Sequence, residues 1–226
     1  MKNEILTSIT KVCEEYIGNS NSLHSLGTSS KKLENAASNQ IISVLELNNK
    51  EIIYTSGECE SNNLLIFGLL EKYKNKEKNV IINKNVHDSI TLSLKEFSNI
   101  KIKYIETTND LINIDELNNL IDENTILISL KNIKNVNNLL KKIKNYNGFI
   151  HYDLSNENNI FTYNNCDFLT IEDNQLPGFG CLIKNKNIYI EPIFHGGKST
   201  TIYRSGTPAL PLIVGLSKLI KIKYKK

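Results

Sequence analysis

Short apolar runs recur through this chain with helical segments between most of them, and that alternation restricts the fold more than anything else in the sequence. The runs cover residues 52–55, 80–82, 100–105, 126–130, 149–152 and 168–171. Each is long enough for a buried strand and too short for a helix. Between them, 61–73, 87–97, 114–121 and 136–146 read as helices. Strand, helix and strand in repetition imply right-handed crossovers and a largely parallel sheet covered on both faces. Two further runs, 180–183 and 188–190, flank a turn at 184–187 and predict a hairpin. A first helix is predicted over 3–17, where Ile5, Leu6, Ile9, Val12, Tyr16 and Ile17 recur before Gly18 stops it. A polar loop over 19–30 leads to a second helix with Leu33, Ala36, Ala37, Ile41, Val44 and Leu45 on one face, and a closing helix begins near Pro208. No repeat or long linker interrupts the series, so the expectation is one α/β domain spanning 1–226.

At 226 residues, with 40% hydrophobic and 23% charged residues, the chain can bury a sizeable core. Its net charge of +3 comes from scattered lysines, with Arg204 as the single arginine. That is no nucleic-acid footprint, and the basic stretch 218–226 reads as a solvated helix end. Cys13, Cys59, Cys166 and Cys181 show neither C-x-x-C nor framework spacing, which predicts a reduced, cytoplasmic protein. No apolar run reaches the length of a membrane span, and the N-terminus lacks an apolar signal core. Gly178-x-Gly180 and His195-Gly196-Gly197 fall outside the nucleotide-binding spacings, and turns account for both.

In such sheets ligands sit at the carboxyl ends of the strands, which directs attention to loops 55–63, 83–87, 153–156, 172–180 and 195–207. Three stretches then carry a resemblance. Asn21-Ser22-Leu23-His24-Ser25-Leu26-Gly27 resembles N-P-S-S-x-H-x-x-G. Thr55-Ser56-Gly57-Glu58-Cys59-Glu60-Ser61-Asn62-Asn63 resembles T-S-G-A-T-E-S-N-N. His195-Gly196-Gly197 with Arg204-Ser205-Gly206-Thr207-Pro208 resembles H-G-G-G-Q-E-x-G-x-R-S-G-T. In order and spacing these are similar to group I cysteine desulfurases of the class V aminotransferase family. The resemblance covers nearly the whole chain. It implies a PLP-transferase-like large domain, usually dimeric, in an enzyme that uses pyridoxal phosphate (PLP) to take sulfur from cysteine for iron–sulfur clusters or tRNA thiolation.

Residue by residue, the resemblance assigns Asp153 to the pyridinium nitrogen, His87 to stacking on the cofactor ring, Gly57 and the amides after it to the phosphate, and Thr207 to the phosphate of a partner subunit's cofactor. The plainer readings are a strand-end aspartate bonding loop amides and a helix-start histidine. Other positions have changed. The family's lysine signature S-x-H-K-x-x-G-P-x-G aligns with 172–180, placing Gln175 where the Schiff-base lysine stands, with Glu172 and Asn174 in place of the serine and histidine. An amide nitrogen forms no aldimine. Lys184, Lys186 and Lys198 are nearby, and all three read as exposed turn lysines. Glu58 and Cys59 replace alanine and threonine of the phosphate cup. Two carboxylates thus arrive where a phosphate belongs, and unit charges about 4 Å apart interact by about 4 kcal/mol at a dielectric near 20. Asn156 shortens the glutamine that contacts the phenolic oxygen. Asn135 and the string Val136-Asn137-Asn138 compete for the family's V-N-N-E asparagine. Ser199 and Thr200 replace its Q-E pair. No counterpart appears for the first family strand, or for the small domain carrying the persulfide cysteine. None of the four cysteines matches that residue, and a buried or partly buried structural thiol is the expectation.

The resulting expectation is a cysteine desulfurase-like protein without catalysis, doubtful in PLP binding, and retained for binding or scaffolding in sulfur transfer. Its expected partners are a second copy, an intact desulfurase or a sulfur-acceptor protein, with no membrane and no specific nucleic acid. It should be a dimer or an aggregation-prone monomer. A decaying gene product is the bland version. The rival is an active PLP-dependent enzyme that holds PLP non-covalently or borrows a lysine and cysteine from a partner chain.

Overall fold

The computed structural model describes residues 2–143, 146–157, 163–197, 199 and 201–224. Lys198 and Thr200 therefore lie outside the described residues.

Among the described residues seven strands form one sheet: β1 (Lys50–Thr55), β2 (Lys78–Asn83), β3 (Ile100–Ile105), β4 (Thr125–Lys131), β5 (Phe149–Asp153), β6 (Phe168–Glu172) and β7 (Gly180–Asn185), in the order β1-β7-β6-β5-β4-β2-β3. The run β6-β5-β4-β2-β3 is parallel, and β7 is antiparallel to both β6 and β1. The expected mostly parallel sheet is present. Helices α1 (Lys2–Glu15), α2 (Ser25–Val44), α5 (Ile114–Leu120), α6 (Val136–Lys142) and α7 (Leu210–Tyr224) share one face, and α3 (Glu58–Leu70) and α4 (Asp88–Lys95) cover the other. Strand parity decides which core each residue joins. In β2, Ile81 joins the core that holds Ile128, Leu139 and Leu216, whereas Val80 and Ile82 join the one that holds Leu65, Ile90 and Leu94. Helix α7 lies against α1 and α2. No helix among the described residues is long and apolar enough to cross a membrane.

Three expectations are corrected. The hairpin does not form, because both edges of β7 are already occupied by β1 and β6. Residues 188–190 are not strand; they run on to α3, where Glu191 N donates to Gly68 O. The polar loop is shorter than expected. Helix α2 begins at Ser25 because His24, in extended backbone, accepts the Gly27 amide through Nδ1 at 3.2 Å.

The third correction concerns Lys184, which is fully buried at the end of β7 while Lys186 is exposed on the turn. Its Nζ donates to Glu51 Oε1 at 2.5 Å and to the carbonyls of Asn185 and Ile188, and lies 4.3 Å from the Tyr203 ring centroid. Replacing Lys184 with methionine strips three acceptors of their donor. The expected cost is about 2 kcal/mol, a little below the range for a broken buried pair because Glu51 can still reach water. Thermal denaturation checks this. A variant melting at or above the parent temperature would show that the buried ammonium contributes nothing.

Candidate functional site

The carboxyl ends of β1, β4, β5 and β6 and the N-terminus of α3 bring the charged residues together. Asp153 ends β5 and Lys131 ends β4, and the two are direct register partners. The backbone of Lys131 is clasped by Asn83 at the end of β2: Lys131 N donates to Asn83 Oδ1 and Asn83 Nδ2 donates to Lys131 O, both at 2.9 Å. This fixes the lysine's exit direction. Its Nζ lies 3.2 Å from Asp153 Oδ2 and 2.5 Å from Oε1 of Glu58, the first residue of α3. Asp153 is 1% exposed, Oδ1 accepts the Ser155 amide at 3.0 Å, and Oδ2 accepts Asn62 Nδ2 at 3.3 Å.

One ammonium therefore serves two carboxylates. Burial raises the Glu58 pKa to about 8, reinforced by Asp153 and opposed by Lys131. Burial also pushes Asp153 upward, but its bond with Glu58 and the Lys131 charge hold it below the usual carboxylate value. Lys131 stays above its ordinary value, because Asp153 and Glu58 outweigh its own burial. Near neutral pH the group is thus a protonated Glu58 beside a Lys131–Asp153 ion pair. A carboxyl raised in the fold favours folding while it is protonated. Stability should consequently fall as pH climbs from the ordinary glutamate range through about 8. Glu58→Gln, which imitates the neutral form, should melt close to the parent at the acidic end of this range and above it as pH rises, losing a decline worth about 1 kcal/mol or more. Melting curves across this range decide it; a parallel decline in parent and variant would assign the titration elsewhere.

Behind Asp153 runs a buried polar chain. His151 Nδ1 meets Ser129 Oγ at 2.8 Å, His151 Nε2 meets Thr170 Oγ1 at 3.0 Å, and Thr170 donates to Asn62 Oδ1 at 2.8 Å. Since the threonine proton is committed to Asn62, Nε2 of His151 must donate and Nδ1 must accept. Burial lowers the His151 pKa to about 4, which keeps the ring neutral. The chain holds Asn62 aimed at Asp153.

At the turn between β1 and α3, Gly57 has φ +134°, a conformation that L side chains rarely adopt. A Cβ there would fall 2.6 Å from Glu172 Oε2. The Glu172 carboxylate fills that space, accepting the Glu58 amide at 2.6 Å through Oε2 and the Gly178 amide at 3.4 Å through Oε1. A negative group at the first amides of a helix is favourably placed.

The other expected residues are mostly used to tie loops. Asn156, at φ 61°, donates its amide to Glu172 O, and its Oδ1 accepts the Asn174 amide at 2.9 Å. The Gln175 amide donates to Asp173 Oδ1 at 2.9 Å, and Asp173 pairs with Lys223. His87 caps α4, its Nδ1 accepting the Ser89 amide at 3.2 Å. Asn135 Nδ2 donates to Ile112 O and its Oδ1 accepts Ile112 N. Thr207, exposed, lines a cavity of about 250 Å³ with Tyr54, Ser56, Phe179 and Arg204. The Arg204 charge is engaged by Glu60, Nε to Oε1 at 3.0 Å. Cys166 and Cys181 are buried, but Cys13 and Cys59 are exposed, which corrects the expectation of a structural thiol at those two positions. Among the described residues no group of three or more His, Cys, Asp or Glu could hold a metal.

Lys131 was missed by the sequence reading, although a signal existed: a lone cation ends an otherwise apolar run, Ile126–Leu130, beside a strand ending in Asp153.

Known proteins resemble this chain in sequence and fold. The family model described as Aminotransferase class-V matches residues 1–156. Cysteine desulfurase IscS of Rickettsia prowazekii is 31% identical over 222 residues, 90% of this chain and 54% of that protein. The IscS of Plasmodium falciparum is 34% identical over 220 residues, 86% of this chain and 39% of that protein. The chain spans about half the length of the curated relatives it matches. Among solved structures, a NifS-like protein superposes with a TM-score of 0.88 at 25% identity, covering 97% of this chain and 66% of that one. A NifS-like protein from Rickettsia africae gives 0.83 at 24%, covering 98% and 65%, which bears on the fold. With the sheet order, the strand-end site and these likenesses together, the chain belongs to the class V aminotransferase family, whose members depend on PLP.

Proposed function

We propose that this is a cysteine desulfurase-like protein without desulfurase chemistry of its own, acting through binding in sulfur transfer for iron–sulfur clusters or tRNA thiolation. The observation that carries the proposal is Gln175 at the position where the family resemblance requires a lysine. The surrounding residues do not fit covalent PLP. The loop bearing Gln175 is tied to Asp173, Asn156 and Glu172. Schiff-base formation needs a neutral amine, whereas Lys131 is held as an ammonium by the Asp153 carboxylate and the Glu58 carboxyl, and Lys184 is enclosed against Glu51. A binding role is supported by Phe194 and Ile202, 45% and 71% exposed on the segment before α7, an apolar display that an interface would cover. The partner is a second copy or an intact desulfurase, with a sulfur acceptor as third component.

The test supplies the purified chain with PLP and cysteine and follows alanine, with light scattering of the chain alone and mixed with an intact class V desulfurase. No alanine beyond that made by free PLP is expected, together with a homodimer or a mixed dimer. Alanine formation rising with chain concentration contradicts the loss of chemistry. A monomer in both samples contradicts the binding role.

A further inference from the structure

The strand-end site is already populated by side chains of opposite charge at its two ends. At one end, the carboxylate that the resemblance assigns to a ring-nitrogen cation faces a cation of this chain. Asp153 is buried, and its oxygens are engaged by Lys131 Nζ at 3.2 Å, Asn62 Nδ2 at 3.3 Å and the Ser155 amide at 3.0 Å. At the other end, the amide turn that the resemblance assigns to a phosphate faces an anion of this chain. Glu172 accepts the Glu58 amide at 2.6 Å and occupies the space left by the missing Cβ of Gly57. Both residues are the last of their strands, where a ligand of this fold is expected to lie. The signs match at both ends: a cation stands against the acid and an anion against the helix N-terminus. Lys131 is also rigidly presented, its backbone clasped twice by Asn83.

We infer that the side chains of Lys131 and Glu172 stand in for the two charged ends of the family's cofactor, so that the site is satisfied internally and excludes a phosphopyridoxal ligand. The inference rests on the family reading above and deepens it. Gln175 removes the covalent bond, whereas Lys131 and Glu172 remove the non-covalent site. A ring nitrogen approaching Asp153 must displace an ammonium bonded to that carboxylate and to the Glu58 carboxyl. A phosphate approaching the α3 amides must displace the Glu172 carboxylate. Glu58 belongs to the same arrangement, since its carboxyl completes the lysine's coordination without adding a net charge while protonated.

Pyridoxamine phosphate tests this, because it has no aldehyde and forms no Schiff base with any lysine. Equilibrium dialysis is carried out with the parent, Glu172→Ser, Lys131→Met and the double variant, each checked for folding by circular dichroism. The expected result is no saturable binding to the parent and binding to the double variant stronger by about tenfold or more. Should the double variant not fold, Glu172→Ser with inorganic phosphate replaces it, and phosphate binding gained over the parent is expected. Parent binding equal to that of the variants overturns the inference, and so does a folded variant that gains nothing. Neither result touches the Gln175 argument, which only a trapped lysine adduct of PLP would contradict.

Discussion

Lys131→Met should lower the melting temperature by about 9 °C at neutral pH, from a loss of about 3 kcal/mol, the lower end for breaking a buried ion pair in a chain of this size. The loss comes less from the missing attraction than from what stays behind. Asp153 is 1% exposed and would keep Asn62, the Ser155 amide and the Glu58 carboxyl but lose its cation. Burial then dominates the Asp153 carboxyl and raises its pKa in the variant. A raised carboxyl favours folding only while protonated, so the variant should recover toward parent stability as pH is lowered and diverge as pH rises. Calorimetry at acidic and neutral pH measures both. An unchanged melting temperature at neutral pH would mean that Lys131 leaves the carboxylates for solvent.

The second large effect concerns covalent capture of PLP. Gln175→Lys alone should yield no borohydride-stable adduct, whereas the same substitution combined with Glu172→Ser and Lys131→Met should yield one at position 175. The new lysine supplies a nucleophile, but Glu172 still holds the α3 amides and Lys131 still holds Asp153, so the cofactor finds neither end of its site. Peptide mapping after reduction separates these outcomes. An adduct of equal yield in the single variant would show that the two side chains do not obstruct the site.

Much of the fold was legible because the strands are strongly patterned. The run Thr125–Lys131 is buried at all but its last residue, and Val80, Ile81 and Ile82 divide between two cores by parity alone. The hairpin at 180–190 was misread because its second run is as apolar as a strand, and only the sheet order shows that β7 has no free edge. Lys184 was misread for a related reason. A lysine before Asn-Lys-Asn looks like a turn, and its burial depends on Glu51 and Tyr203, both distant in sequence. For the candidate site, motif resemblance is what singles out Asp153, Gly57 and Gln175. Lys131 lies outside every motif, and its meaning comes from register pairing with Asp153, which one sequence does not display. The amide-tying role of Glu172 likewise appears only once β6 and the β1–α3 turn are adjacent.

The most direct test of the account is the intact mass of the unmodified chain after incubation with PLP and reduction by borohydride. No added mass and no absorbance band of a cofactor–lysine aldimine are expected. A single stoichiometric adduct, mapped to one lysine, would contradict it and would place the nucleophile somewhere other than position 175.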